Sequence, residues 1–230
     1  MKIIIFLLLS VSVTAYSLSS HAQVSPSWGF VDKTGKLVIH PLYSSTLGFS
    51  EGLAAVHVNN YEYDGSAGWG YVDATGKFII LPQYDWADSF SDGLAPVKIR
   101  GKWGFIDKLG HIVIDPQFVK AKPFAQDVAP VRTSDNRWGF IDKAGRFAIA
   151  PKFDSAFGFA DGLAPVKVGK KWGYIDRSGA TILQPIFDFA LRFSEQLAAV
   201  EVDKNRLRPD RRASSRVPSI PARPPCGRRL

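Results

Sequence analysis

The dipeptide Trp-Gly recurs five times, at Trp28-Gly29, Trp69-Gly70, Trp103-Gly104, Trp138-Gly139 and Trp172-Gly173, at spacings of 41, 34, 35 and 34 residues. A period of this kind makes the chain a tandem array of one supersecondary unit, and it excludes any fold without internal repetition. Each Trp-Gly is followed by an aromatic residue, an aliphatic one and Asp, with Gly three residues further on. These pairs are Asp32 and Gly35, Asp73 and Gly76, Asp107 and Gly110, Asp142 and Gly145, and Asp176 and Gly179. A proline follows at Pro41, Pro82, Pro116, Pro151 and Pro185, then an aromatic at Phe49, Phe90, Phe124, Phe159 and Phe193. The unit closes on Leu-Ala or its equivalent, as at Leu94-Ala95 and Val128-Ala129.

Within the third unit, Trp103, Phe105 and Asp107 fall on one side of an alternating pattern and Gly104 and Ile106 on the other, which predicts a strand. Asp107-Lys108-Leu109-Gly110 reads as a turn. An Asp side chain at its first position accepts downstream backbone N–H groups, and Gly at its fourth tolerates positive φ. His111 to Ile114 returns as a second strand, and Pro116, lacking a ladder donor, is expected to stop it. Residues 117–127 read as an irregular connector or at most one helical turn, and a third strand is expected over Val128 to Arg132. Pro96, Pro130 and Pro165 fall inside third strands and are expected at an edge, a bulge or the unpaired side of a short ladder.

A unit of about 35 residues buries too little surface to fold alone, so neighbouring units must cover one another. The repeat tryptophans are therefore expected to be packing residues and the repeat aspartates turn residues. The predicted class is all-β: a tandem repeat of short antiparallel hairpin units in a solenoid-like stack, with a propeller-like arrangement as the alternative.

The pattern Trp-Gly-[Phe/Tyr]-[Ile/Val]-Asp-x-x-Gly, an aliphatic strand, Pro and a late Phe-x-x-Gly-Leu-Ala resembles the bacterial WG-repeat family over residues 28 to about 202. The resemblance implies a β-rich scaffold or binding module and supplies no catalytic residue. Thr46 stands where the other units have Ala87, Ala121, Ala156 and Ala190. Asp127 and Gln196 replace the Gly seen at Gly52, Gly93 and Gly162, which argues against one uniform turn at that site.

Outside the array, Met1 and Lys2 precede an apolar run from Ile3 to Val13 and the small residues Ser20 and Ala22. This is the layout of a signal peptide over residues 1–22, cleaved near Ala22, and it predicts a periplasmic or extracellular protein with no transmembrane span in the mature chain. The formal net charge of +8 is misleading as an average. Residues 204–230 carry nine basic residues and one acidic, while residues 1–203 balance, so a specific nucleic-acid partner is not expected. The single Cys, Cys226, lies in this segment too. The repeat domain is assigned to residues 23–203 and the basic remainder is expected to be disordered. Leu207 stands where a sixth Trp is due, and Arg208-Pro209-Asp210-Arg211-Arg212 can be encoded so that a reading one base later gives Gly-Leu-Ile-Asp, so a shifted reading frame is the expected origin of the lost register and a genuine basic tail the alternative.

The predicted function is non-enzymatic: an exported protein-interaction or structural module. Carbohydrate or cell-wall binding is the alternative, and glycoside hydrolysis a remote one. His40, His57 and His111 occupy slots filled by other residue types in other units, and no motif for a metal, cofactor or nucleophile is present. The first spacing is longer because of an insertion at residues 59–67, and loops inserted into repeats collect binding residues. Tyr61, Tyr63 and Asp64 in that insertion, with Trp86, the one Trp outside the period, form the candidate ligand surface. Partners are expected to be a protein or glycan of the cell envelope, with self-association through the open edge of the last repeat.

Overall fold

The computed structural model describes residues 27–59 and 68–203. The described chain is all-β, as the periodicity predicts, and its strands form consecutive antiparallel sheets. At the N-terminus β1 (Trp28–Val31) pairs with β2 (Leu37–Tyr43) in a two-stranded sheet. Four complete sheets follow. The first contains β3 (Ser45–Thr46), β4 (Ala54–Val58), β5 (Gly68–Val72) and β6 (Phe78–Tyr84). The second contains β7 (Trp86–Ala87), β8 (Ala95–Ile99), β9 (Lys102–Ile106) and β10 (Ile112–Phe118). The third contains β11 (Lys120–Ala121), β12 (Ala129–Arg132), β13 (Trp138–Ile141) and β14 (Phe147–Phe153). The fourth contains β15 (Ser155–Ala156), β16 (Ala164–Val168), β17 (Lys171–Ile175) and β18 (Thr181–Phe187). A two-stranded sheet of β19 (Phe189–Ala190) and β20 (Val200–Glu201) ends the described chain.

Sheets and sequence units are out of step by half. Each Trp-Gly unit gives its first two strands to the third and fourth positions of one sheet, and its last two to the first and second positions of the next. The link is an aromatic pair within the unit. Tyr71 meets Phe90 at 4.8 Å between ring centroids, Phe105 meets Phe124 at 4.9 Å, and Phe140 meets Phe159 at 5.1 Å. These rings are fully buried, so each unit pins two neighbouring sheets together. The array is an open stack, because among the described residues the first and last sheets are two-stranded and not joined to each other.

The connector expected to be irregular contains a two-residue strand followed by a tight turn. The turn is the same in every unit: Glu51-Gly52, Asp92-Gly93, Gln126-Asp127, Asp161-Gly162 and Glu195-Gln196 all have positive φ at both central positions. That is a type I′ hairpin turn, whose twist matches the strands it joins. Asp127 and Gln196 hold φ of 65° and 66° without being glycine, so the sequence-based expectation of a non-uniform turn is corrected. The hairpin geometry on either side imposes the conformation.

The unit proline also behaves differently from expectation. Pro41, Pro82, Pro116, Pro151 and Pro185 do not stop the second strand; each lies inside it, at a break in register. Between Ile149 and Phe153 the strand β14 has extra residues opposite Phe140 to Trp138, forming a bulge that includes Pro151. The strand is outermost in its sheet, where a missing donor is tolerated. The bulge explains the glycine of Trp-Gly. A Cβ on Gly139 would stand 2.7 Å from the Ile149 carbonyl oxygen and 2.8 Å from the Pro151 nitrogen.

Pro96 occupies the second strand of its sheet, where β7 has already ended. Its carbonyl accepts the Asp88 N–H at 3.0 Å. The reciprocal bond of an antiparallel pair would need an N–H at residue 96. The Tyr71 hydroxyl instead donates to the Asp88 carbonyl at 2.7 Å, so the proline leaves no buried acceptor unpaired.

Candidate functional site

The repeat aspartates are turn residues. Asp142 Oδ1 accepts the N–H groups of Ala144 at 3.0 Å and Arg146 at 2.9 Å, and Gly145 closes the turn by donating to the Asp142 carbonyl. The Arg146 N–H above all holds the Asp142 carboxyl below its ordinary range. At Asp32 and Asp73 the threonine hydroxyl two residues on has the largest effect in the same direction. The carboxylates face their own backbone.

The tryptophans are chiefly packing residues. Trp69, Trp138 and Trp172 are 3%, 6% and 5% exposed, and Trp103 packs against a buried cluster while staying partly accessible. Trp28 is the exception at 57% exposed.

Of the four candidate ligand residues, Tyr61, Tyr63 and Asp64 lie outside the described residues. Trp86 is half-exposed, at 47%, with its ring 5.0 Å from that of Trp69. It borders a cavity of about 400 Å3 whose walls include Asp85, Trp103, Lys122 and Trp138.

A second cavity, of about 760 Å3, draws on all five units. Ser50 comes from the first, Ser89, Phe90 and Ser91 from the second, Phe124 from the third, Phe157 and Gly158 from the fourth, and Leu191 and Arg192 from the fifth. The stack is therefore curved, with the segments that follow the short first strands turned toward one concave side. The residue after each short strand varies along the array, with only the first and last alike: Leu47, Asp88, Lys122, Phe157 and Leu191. A non-repeating slot beside a repeating alanine was the signal that could have found this surface in the sequence.

Lys122 is its most unusual member, and it borders both cavities. Its ammonium donates to the Ala156 carbonyl at 2.8 Å and lies 3.8 Å from the centre of the Phe157 ring and 5.1 Å from that of Trp138. Burial, reinforced by Lys120 and Arg192, brings its pKa down to about 8. A cation held against two rings beside Asp88, Arg192 and three serine hydroxyls makes this surface mixed polar and aromatic.

Other polar pairs are structural. Ser44 Oγ lies 2.7 Å from His57 Nδ1 and also donates to the His57 carbonyl, tying β3 to β4. His111 bonds the Asp107 carboxylate at its own turn; burial pushes that carboxyl up, but the backbone and side-chain bonds from His111 outweigh it and hold the group below its ordinary range. Among the described residues no group of three or more His, Cys, Asp or Glu side chains is placed to hold a metal ion. No helix among them is long and apolar enough to cross a membrane.

A search of curated proteins gives no match. Among solved structures the chain is similar to the computationally designed Ika8 protein, at 12% identity and a TM-score of 0.48, over 73% of this chain and 59% of that one. It is also similar to BamB from Moraxella catarrhalis, at 15% identity and a TM-score of 0.40, over 57% of this chain and 49% of that one. The WD40 beta propeller domain of Doa1 matches at 13% identity and a TM-score of 0.37, over 64% of this chain and 56% of that one. The chain thus spans about half to three-fifths of the length of these structures. The family described as WG containing repeat matches residues 28–61, 69–103, 103–136, 138–172 and 172–205, nearly the whole described region. With each match opening at or beside a Trp-Gly hairpin, the chain belongs to the WG containing repeat family.

Proposed function

We propose that this protein is an exported, non-catalytic scaffold that binds a protein partner on the concave side of its repeat stack. The carrying observation is the cavity of about 760 Å3 to which all five units contribute, lined at repeating positions by Phe90 and Phe124 and at a varying position by Asp88, Lys122, Phe157 and Leu191. Identical sheets supply a rigid frame, and the slot after each short strand individualises it. Lys122, with its ammonium against Phe157, and Arg192 favour a partner segment that offers carboxylates and aromatic or aliphatic side chains. The signal-peptide layout of residues 1–22 supports a site of action in the periplasm or outside the cell. The edge strand β20, which pairs only with β19 among the described residues, is the scaffold's route to self-association.

A photo-crosslinking residue placed at Lys122 and, separately, at the outward turn residue Lys33 tests this reading in cells. A discrete protein adduct from position 122 and none from position 33 is the expected result. Adducts from both positions, or from neither, would overturn it. A second reading, glycan binding, is favoured by the half-exposed Trp86 on Trp69. Retention of the protein on insoluble cell-wall glycan, lost in Trp86→Ala, would replace the protein partner by a glycan.

A further inference from the structure

We propose that the two terminal half-sheets are complementary, and that copies of this chain join head to tail by completing one four-stranded sheet between them. Every interior sheet has the same order of four: a short strand, the Leu-Ala strand, the Trp-Gly strand and the bulged outer strand. Among the described residues, β1 and β2 are a third and fourth strand without a first and second. Among the same residues, β19 and β20 are a first and second strand without a third and fourth. What each end lacks is what the other end has.

The register is fixed by the interior copies. Val131 pairs with Gly139 and Arg132 with Trp138 in the third sheet, and Val166 with Gly173 and Lys167 with Trp172 in the fourth. The corresponding pairs at the junction are Val200 with Gly29 and Glu201 with Trp28 of the next copy. The backbone already faces the right way. Asp188 and Leu191 donate to the carbonyls of Glu201 and Ala199, so those two residues turn toward β19 and Val200 turns its N–H and carbonyl to the vacant flank.

The side chains agree. Val56, Val97, Val131 and Val166 are all buried, whereas Val200 is 39% exposed. Leu53, Leu94 and Val128 are buried, whereas Leu197 is 78% exposed. On the other end Val31 is exposed where Val72, Ile106, Ile141 and Ile175 are fully buried. Interior tryptophans also rest on the slot after the short strand, as Trp172 stacks on Phe157 at 5.2 Å. Leu191 fills that slot at the C-terminal end, and the ring due to lie on it is Trp28 of the next copy. A surface that joins to a different surface of its own kind makes a heterologous contact, so the product is a closed ring of copies or an open filament. The contact is separate from the concave surface, and its failure would leave the binding proposal standing.

Sedimentation of the full chain tests the idea. The expected result is a mean mass that rises with concentration, returned to monomer by Val200→Pro, which removes the outward donor, with an unchanged far-ultraviolet spectrum. A monomer at every concentration, or assembly that ignores Val200→Pro, would overturn it. A covalent trap reads the register independently of that variant: Trp28→Cys with Glu201→Cys on a Cys226→Ser background. Residues at such non-hydrogen-bonded positions lie close enough for a disulfide. A reducible ladder of multimers supports head-to-tail joining. A reducible, faster-migrating monomer means that one chain joins its own ends, and no cross-link means that the ends do not meet; either result sinks the proposal. If a chain ending at Asp203 assembles while the full chain does not, the edge belongs to the chain's own C-terminal residues and the proposal is wrong.

Discussion

Trp138 and Trp28 occupy the same place in the same motif, yet one is 6% exposed and the other 57%. The hairpin around each is alike: Trp138 pairs with Phe153 and Trp28 with Tyr43, both across a bulge, and both are followed by the same Asp turn. The difference lies in what stands on the other flank. Trp138 has β12 beside it and the Lys122 ammonium over its ring, and among the described residues β1 has neither a second nor a first strand beside it. Local sequence sets the hairpin, and burial comes from the neighbouring unit.

This contrast can be pressed hardest at the tryptophans themselves. Trp138→Ala should cost about 3–5 kcal/mol, as expected for a large aromatic removed from a core. Trp28→Ala should change stability by no more than about 0.5 kcal/mol in dilute monomer. Urea unfolding followed by circular dichroism checks both, and equal losses would mean that the first unit is as well packed as the fourth. The glycine of the motif gives the next largest effect. Gly104→Ala places a Cβ 2.5 Å from the Ile114 carbonyl oxygen and should cost about 3 kcal/mol through backbone displacement. Gly29→Ala meets the same overlap with Ile39, but only the β1–β2 hairpin should loosen, seen as faster amide exchange there with a smaller shift of the urea midpoint.

Smaller again is the I′ turn. Gly93→Ala should lose about 1–2 kcal/mol, because φ of 87° is strained for a residue with a Cβ. Gln196→Gly at the last turn should gain up to about 1 kcal/mol, since there the strain is already present. A loss at Gln196→Gly would show that its side chain earns its place by contacts rather than tolerating the turn. The smallest effect is acid dependence. The turn carboxyls of Asp32, Asp73, Asp142 and Asp176 are lowered in the folded state, so their contribution is complete above the unfolded carboxyl value of about 3.9 and is lost as pH falls through the folded values. Asp142→Asn should flatten the acid limb of a stability-versus-pH curve in proportion to its one turn, and lower the neutral plateau by the same small amount.

The all-β class, the unit count and the Asp turns were legible because strand alternation and turn chemistry are local. The phase of the sheets was not. Trp-Gly is the most visible marker, so it invites a boundary there, whereas the sheet boundary falls after the bulged strand, at Ser44 or Asp85. The bulge hid behind Pro116, which reads as a terminator when only the strand's own ladder is considered; the close approach that requires Gly104 lies across the sheet. The I′ turns at Gln126-Asp127 and Glu195-Gln196 were obscured for the same reason, since the strands on either side select a conformation that the two residues do not announce. The concave surface is not legible from the repeat, because its distinguishing slot is one that varies between units, and Lys122 is informative for breaking the pattern. Trp86 was found by the opposite route, as an extra copy of a repeating residue type.

The I′ turns also speak to one another. Glu51 accepts the N–H of Gly93, Asp92 that of Asp127 at 2.8 Å, Gln126 that of Gly162 and Asp161 that of Gln196 at 2.9 Å. Each junction between successive units thus owns one backbone amide whose protection depends on the neighbouring unit staying docked. Four amides, spaced evenly along the chain, form a built-in set of gauges. Their deuterium uptake, resolved one by one, would report which junction opens first and whether the array unzips from its ends or melts as a whole.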